Sequence, residues 1–372
     1  MGVSKKIGVL PGDGIGPEVT AEAIKVLNAV AEKHGHTFEY SFGDVGAIAI
    51  DRMGNPLPDT TLEICEQSDA FLFGAIGHPK YDNDPSAKVR PEQGLLKLRK
   101  ALGLYANIRP VTAYDSLLHM SPLKTERVKG ADFVVYRELT GGIYFGEKGR
   151  TVDGAYDNCT YSNYEVDRIA KLAFEAAMNR RKKLTLIDKA NVLETSRLWR
   201  ERVTHMTKDY PDIELDMMFV DNAAMQMIQN PKQFDVILTE NMFGDIISDE
   251  ASVIGGSLGL LPSASIGDKT AMFEPIHGSY PQAAGKNIAN PLATILSTAM
   301  MLDHLGMIDE AIEVRNAVNA SLRHGMVTED LAERSGVGTD RVGDFVANYI
   351  LEGEVETKGS FLNIKMGLST II

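Results

Sequence analysis

At 372 residues the chain exceeds the usual ceiling for one hydrophobic core, which predicts two domains. Its 44% apolar and 24% charged residues are those of an ordinary globular protein, and a net charge of −13 without a basic run excludes nucleic acid as a partner. Two cysteines without metal-ligand spacing, and no stretch near ~20 uninterrupted apolar residues, exclude a disulfide framework and a transmembrane helix and predict a cytoplasmic enzyme.

Lys6 to Leu10 predicts a first strand, and its apolar run is too brief for a signal-peptide core. Pro11-Gly12-Asp13-Gly14-Ile15-Gly16-Pro17-Glu18 leads into an apolar-periodic helix from about Val19 to Lys33. Pro17 suits the first helical turn and Glu18 the positive end of the helix dipole. The glycines read G-x-G-x-G, not the G-x-G-x-x-G of a Rossmann fingerprint. The loop therefore fits a passage close to a ligand and a plain strand-to-helix turn equally well. Further strands are expected at Phe38 to Asp44 and Ala70 to Gly74, with a short helix from Thr60 to Gln67 and a loop from Gly77 to Pro85. Apolar, non-alternating strands interleaved with helices predict an α/β sheet with parallel neighbours. Ligands of such sheets bind beyond the carboxyl ends of the strands.

Pro91 to Leu102 has apolar residues on one side of a helix, and Arg99 lies near its end. Arg109 and Arg137 each close or interrupt an apolar, strand-like run, where an arginine is costly unless paired. Guanidinium forks bind carboxylates bidentately, so the three together would hold a di- or tricarboxylate; for each alone, an ion pair with the chain's surplus acids serves equally well. Glu138 to Ser162 is polar and glycine-bearing, with the strand–turn–strand character of an arm that joins subunits. Tyr144, set among glycines, faces a cleft or packs. Tyr164 to Arg181 is an amphipathic helix. Lys183 to Asp188 is a buried strand ending at Lys189, a lysine that acts as a base if desolvated. Asp216 to Val220 is another strand, ending at Asp221. The last third holds a glycine-rich stretch from Glu274 to Pro291, a nucleotide cradle or an exposed connector. Helices follow at Leu292 to Gly306, Ile308 to Arg323 and Val342 to Glu352, and the tail 353–372 has no periodicity.

The densest chemistry lies between Asp235 and Glu250. Asp235 to Thr239 reads as a short buried strand, Gly244 as the residue of a tight turn, and the following helix puts Asp245 and Asp249 four residues apart on one face. Two stacked carboxylates repel unless a cation lies between them, and hard Mg²⁺ or Mn²⁺ prefers such oxygens; a solvated acidic face is the other reading. Arg137, Lys189, Asp221 and Asp245 all fall at or just beyond strand ends, which argues for one shared site.

The ordered motifs resemble the β-decarboxylating dehydrogenases, the family of isocitrate and 3-isopropylmalate dehydrogenases. They are Gly12 to Glu18, the run to Arg99, Asn107 to Pro110, Arg137 to Tyr144, Asp188 to Asn191, Val220 to Asn222 and Asn241 to Asp249, and the resemblance reaches about Glu352. It implies a two-domain subunit with one mixed sheet, distinct from the Rossmann fold. The first domain would be discontinuous, 1–104 plus 256–372, and the second, 105–255, would carry the arm and a homodimer interface. It also implies metal-assisted oxidative decarboxylation of a 2-hydroxy dicarboxylate by NAD⁺. In that likeness Asp221, Asp245 and Asp249 bind Mg²⁺ or Mn²⁺, while Arg99, Arg109 and Arg137 clamp carboxylates. Lys189 takes the hydroxyl proton and Tyr144 protonates the enol carbon, with Lys189 and Asp221 reaching across from the partner subunit. Leu95, Leu96 and Val192 would form an isopropyl pocket, since isocitrate dehydrogenases use polar Ser and Asn at the leucine pair. Ile15, Gly77, Glu92, Asn191, Glu274, His277, Gly278, Ser279, Tyr280, Gln282, Ala289, Asn290 and Asp330 would line the cofactor. Relatives that use NAD usually carry Asp at the position of Gln282, and NADP-specific ones place Lys-Tyr at Gln282-Ala283. Nothing cationic stands there for a 2′-phosphate, which leaves NAD. Sister enzymes for D-malate, tartrate or homoisocitrate, and a silent regulatory subunit, are the alternatives; the latter predicts loss of Lys189, Tyr144 or an aspartate, and all are present.

Overall fold

The computed structural model describes residues 2–83, 87–332 and 334–353; the tail from 354 onward, expected to be aperiodic, lies outside the described residues. Ten strands form one sheet: β1 Ser4–Gly12, β2 Thr37–Phe42, β3 Ala70–Ala75, β4 Ala106–Thr112, β5 Asp132–Glu138, then, past the arm, β8 Lys183–Asp188, β9 Glu214–Phe219, β10 Val236–Thr239, β11 Pro262–Ile266 and β12 Ala271–Pro275. The arm is a hairpin of β6 Lys148–Arg150 and β7 Ala155–Asp157, the strand–turn–strand element expected between Glu138 and Ser162. The order across the large sheet is β2-β1-β3-β12-β11-β4-β5-β10-β8-β9.

Pairing is parallel on both flanks and antiparallel in the middle, where β12, β11, β4 and β5 alternate in direction. The two parallel flanks therefore run in opposite directions. The carboxyl ends of β5, β8, β9 and β10 share one edge of the sheet, while those of β1, β3 and β12 lie toward the other.

Apolar runs on these strands are covered on both faces. Helix Gly16–His34 buries Val19, Ala23, Val26, Leu27 and Val30, the i, i+4, i+7 pattern of one apolar stripe, and stops where Gly35 takes φ 69°. It packs with helices Leu292–His304, Ile308–Arg323 and Thr339–Glu352 over Ile7, Val9, Leu72 and Phe273. The reverse face of that flank, with Leu10, Phe71, Phe73 and Met272, is covered by helices Asp59–Gln67 and Pro91–Ala101. On the other flank, helices Asn163–Met178 and Glu194–Met206 bury Leu184, Leu186, Val236 and Leu238 around Trp199. Helices Val220–Gln229 and Asn241–Ser252 cover Val135, Ile187 and Ile237 on the opposite face.

The antiparallel seam has two unlike faces. Register puts Asn107, Arg137, Ser263, Ser265 and Glu274 on one face, with Arg109 two residues along from Asn107. Ile108, Tyr136, Ala264, Ile266 and Phe273 occupy the other, in a groove of about 500 Å³. The polar face lies between helices Pro91–Ala101 and Asn241–Ser252. Among the described residues no helix is long and apolar enough to cross a membrane.

Gly244 corrects the expected turn. It sits inside helix Asn241–Ser252, buried, and a Cβ there would come 2.6 Å from Arg137 Cγ. The glycine keeps the helix surface bare so that the arginine stem can pass beneath it. Glu240 starts this helix instead, its carboxylate accepting from Phe243 N at 2.8 Å.

Candidate active site

The three arginines converge on the polar face of the seam. Arg99, from the last turn of helix Pro91–Ala101, bonds Glu274 Oε1 at 2.7 Å, and its Nε is buried without a partner. Arg109, in mid-strand, donates to Asn107 Oδ1 at 2.9 Å, Ser248 Oγ at 2.8 Å and Asp249 Oδ1 at 2.7 Å. Arg137, at the end of β5, spans Asn241 Oδ1 with two nitrogens at 3.2 and 2.9 Å and is paired to Asp245 Oδ1. Burial pushes the Arg137 pKa below the ordinary arginine value; Asp245 opposes that shift, and Arg109 and Arg99 add to it. Three cations within reach of one another make a ready receptor for anionic groups.

Arg137, Lys189, Asp221 and Asp245 lie at or just beyond the carboxyl ends of β5, β8, β9 and β10, as the sequence predicts. Arg109 and Glu274 stand on the sheet face, because the strand direction reverses at the seam and the flanks send their carboxyl ends opposite ways. The loops of the first flank border this face through a cavity of about 170 Å³ lined by Leu95, Arg99, Arg109, Glu274, His277 and Gly278 among others. Leu95 is half-buried there; Leu96, on the same helix edge, is 51% exposed.

Asp245 and Asp249 stand one turn apart on their helix, as the spacing predicts. Asp245 accepts from Tyr144 Oη at 2.9 Å through its second oxygen, and the Arg137 guanidinium lies 5.9 Å from the Tyr144 ring centre. Burial, reinforced by the Asp245 hydrogen bond, pushes the Tyr144 pKa up, so the phenol keeps its proton at neutral pH. Asn241, the first residue of the helix, donates to Gly141 O at 3.1 Å and so couples the helix to the turn carrying Tyr144.

Lys189 and Asp221 form a second group. They follow β8 and β9 and bond each other at 2.5 Å, which holds the Asp221 carboxyl below its usual range. Asn191 and Val192 lie exposed in the turn beyond Lys189, with Val192 61% exposed. Within one chain this pair is bonded to itself, and the arginines take Asp245 and Asp249; the three aspartates are not gathered at one point.

The glycine-bearing loops meet one another. Ile15 N donates to Ser279 O at 2.8 Å, and Gly14, at φ 59°, has room for no side chain, since a Cβ would stand 1.9 Å from the same carbonyl. Gly14→Ala is expected to destabilise the chain by about 1–3 kcal/mol and part the two loops, read as a lower denaturant midpoint. Glu92 brings Oε1 within 3.0 Å of where a Gly77 Cβ would stand. His277 Nδ1 contacts Gly278 O at 3.0 Å, its Nε2 is buried without a partner, and burial pushes its pKa down. Tyr280 takes φ 37°, and it and Gln282 are exposed. Asn290 Nδ2 bonds Asp330 at 3.0 Å, and Ala289 O accepts from Thr339 at 2.6 Å.

Two organising residues escaped the sequence reading. Asp13 is buried and accepts from the amides of Ala47, Ile48 and Gly77 at 2.9, 3.0 and 2.9 Å, tying three loops together. Tyr161 donates to Glu240 at 3.2 Å, accepts from Asn241 N at 3.0 Å and meets Trp199 edge-on. The Gly12-Asp13-Gly14 loop was a weak signal for the first; nothing local marks the second.

Comparison with known proteins agrees with this geometry. The family described as isocitrate/isopropylmalate dehydrogenase matches residues 6–346. The chain is 56% identical over 347 residues to 3-isopropylmalate dehydrogenase of Bacteroides fragilis, covering 93% of this chain and 98% of that one. It is 54% identical over 353 residues to the enzyme of the same name from Thermotoga maritima, covering 93% and 99%. Among solved structures, isocitrate dehydrogenase from Methylococcus capsulatus superposes with a TM-score of 0.82 at 37% identity, covering 94% of this chain and 100% of that one. A sheet with an antiparallel seam, a polar face bearing three arginines, and matches spanning nearly the whole chain agree: the chain belongs to the isocitrate/isopropylmalate dehydrogenase family.

Proposed function

We propose that the chain is a homodimeric, NAD-dependent 3-isopropylmalate dehydrogenase. It oxidises the 2-hydroxyl of (2R,3S)-3-isopropylmalate and releases CO₂, yielding 4-methyl-2-oxopentanoate for leucine synthesis. The observation that carries this reading is the meeting of Arg99, Arg109 and Arg137, with Leu95 lining the same cavity as Arg99 and Arg109 and Leu96 exposed next to it on the helix. Three guanidiniums match two carboxylates. An apolar pair leaves no hydrogen-bonding partner for a third carboxylate or an extra hydroxyl but receives an isopropyl group, which disfavours isocitrate, tartrate and homoisocitrate. Val192 would complete that pocket.

The domains we assign are 1–104 plus 256–372, on the loop side, and 105–255, on the arm side. Ile15, Gly77, Glu92, Asn191, Glu274, His277 to Tyr280, Gln282, Ala289, Asn290 and Asp330 would line the dinucleotide. Neither Gln282 nor Ala283 offers a cation for a 2′-phosphate, which supports NAD.

The acids suit a divalent ion by their chemistry. Asp245 and Asp249 supply oxygen donors on one helix face, partly exposed, and Asp221 of the partner subunit would supply a third; oxygen-only sets select Mg²⁺ or Mn²⁺ over softer metals. When bound, NAD⁺ would supply a hydride acceptor and the ion a Lewis acid at the 2-oxygen. In the free chain Arg137 and Arg109 neutralise Asp245 and Asp249. A dicarboxylate would take over both guanidiniums and leave the acids to face the cation. Lys189 of the partner subunit would accept the hydroxyl proton. Tyr144, kept protonated, would deliver one to the enol carbon.

The test is NADH formation with 3-isopropylmalate, D-malate and isocitrate in turn, with and without Mg²⁺. Metal-dependent turnover of 3-isopropylmalate above the other two is the expected result. Preference for D-malate would move the chain to a sister activity, and silence with all three would make it a ligand-binding subunit.

A further inference from the structure

We propose that His34, His36 and Glu310 form a binding site for a borderline transition-metal cation of the Zn²⁺ class, on a part of the surface that the reading above does not use. His34 ends helix Gly16–His34, His36 lies one residue before β2, and Glu310 sits in the first turn of helix Ile308–Arg323. One ligand atom from each lies within 4.8 Å of the others, and among the described residues this is the one such group of histidines and acids.

The donors are of the right kind. Two imidazoles and a carboxylate are a common Zn²⁺ set, whereas Mg²⁺ prefers oxygens alone. The two rings stack nearly parallel, with centres 5.6 Å apart and planes 12° apart. Both turn Nε2 toward the same helix: His36 Nε2 is 2.9 Å from Glu310 Oε1, and His34 Nε2 is 2.9 Å from Glu313 Oε2. The His36 and Glu310 side chains are only 7% and 14% exposed, so they are already held in place. Glu313 is engaged by Lys33 at 3.3 Å, which favours Glu310 as the carboxylate ligand.

In the metal-free chain His36 Nδ1 accepts from Val3 N at 3.1 Å, which puts the ring proton of the neutral form on Nε2, facing Glu310. Coordination through Nε2 moves that proton to Nδ1 and leaves the Val3 amide without its acceptor. Val3 is 41% exposed, so its amide can turn to water. The exchange replaces two histidine–glutamate contacts with one ion joining the end of the first long helix to the start of helix Ile308–Arg323. Its consequence is added stability rather than altered turnover.

The experiment uses the full chain, stripped with EDTA and dialysed against ZnCl₂ in excess Mg²⁺, with bound zinc measured by elemental analysis and melting followed in parallel. One Zn²⁺ per chain is expected, with a raised Tm. His34→Gln and Glu310→Gln should each weaken binding by at least roughly tenfold and remove the Tm rise, while Asp245→Asn should retain both. Zinc retained equally by His34→Gln and Glu310→Gln, or zinc lost with Asp245→Asn, would overturn the site. So would the absence of bound zinc in the unaltered chain. Failure of 3-isopropylmalate turnover would leave this result untouched.

Discussion

Lys189→Met is expected to lower kcat by roughly 10²–10⁴-fold while leaving the melting temperature within a degree or two of the parent. The lysine side chain is 26% exposed, and its ammonium bonds a solvent-facing Asp221 and lies 5.8 Å from the Phe219 ring centre, contacts weak enough that its removal costs the fold little. The same variant tests where the lysine acts. If each site takes Lys189 from one subunit and Asp245 from the other, Lys189→Met and Asp245→Asn are separately inactive as homodimers. Mixing them by denaturation and refolding forms heterodimers with one intact site each. A two-fold dimer assembled at random from equal amounts would then regain roughly a quarter of parental activity. A mixture no more active than its components would place lysine and aspartate in the same subunit's site.

Arg137→Lys is expected to cost about 2–5 kcal/mol in kcat/KM, chiefly through KM, although charge is conserved. The guanidinium holds Asn241 by two nitrogens and Asp245 by a third, within a side chain only 7% exposed. A lysine ammonium is a point donor and cannot span both. Asn241 begins the helix that carries both aspartates, so its loosening also weakens metal binding. Steady-state kinetics across a range of Mg²⁺ concentration separate the effects: a KM that recovers at high Mg²⁺ would assign the loss to the metal side rather than to the carboxylate fork.

Much of this arrangement was legible in the sequence, for reasons that differ by element. Lys183–Asp188 and Ile308–Arg323 were read at their observed bounds because a short strand carrying Leu184, Leu186 and Ile187 between charged ends, and a 3.6-residue stripe, are local properties. Strands β11 and β12 were not read: Pro262–Ile266 carries two serines and Ala271–Pro275 a glutamate, which blur any strand pattern. Those polar residues are there because this seam face meets Asn107 and Arg99, a tertiary fact that no window along the chain contains. Gly244 misled for the same reason, since its smallness answers an arginine more than a hundred positions earlier. The acids and arginines were found by spacing and cost, but their pairing in the free chain, Arg109 with Asp249 and Arg137 with Asp245, required coordinates.

The seam also sets a timetable for folding. β3 has β1 on one side and β12 on the other, with Leu72 opposite Phe273, so a central pairing joins residues from opposite ends of the chain. During synthesis the first flank must wait, with the β3 edge open, until β12 has left the ribosome. Non-local pairing of this kind slows folding, and an open apolar edge invites association with other chains. Refolding at increasing protein concentration is therefore where losses to aggregation should first appear, and chains truncated before Ala271 should not yield a soluble first flank.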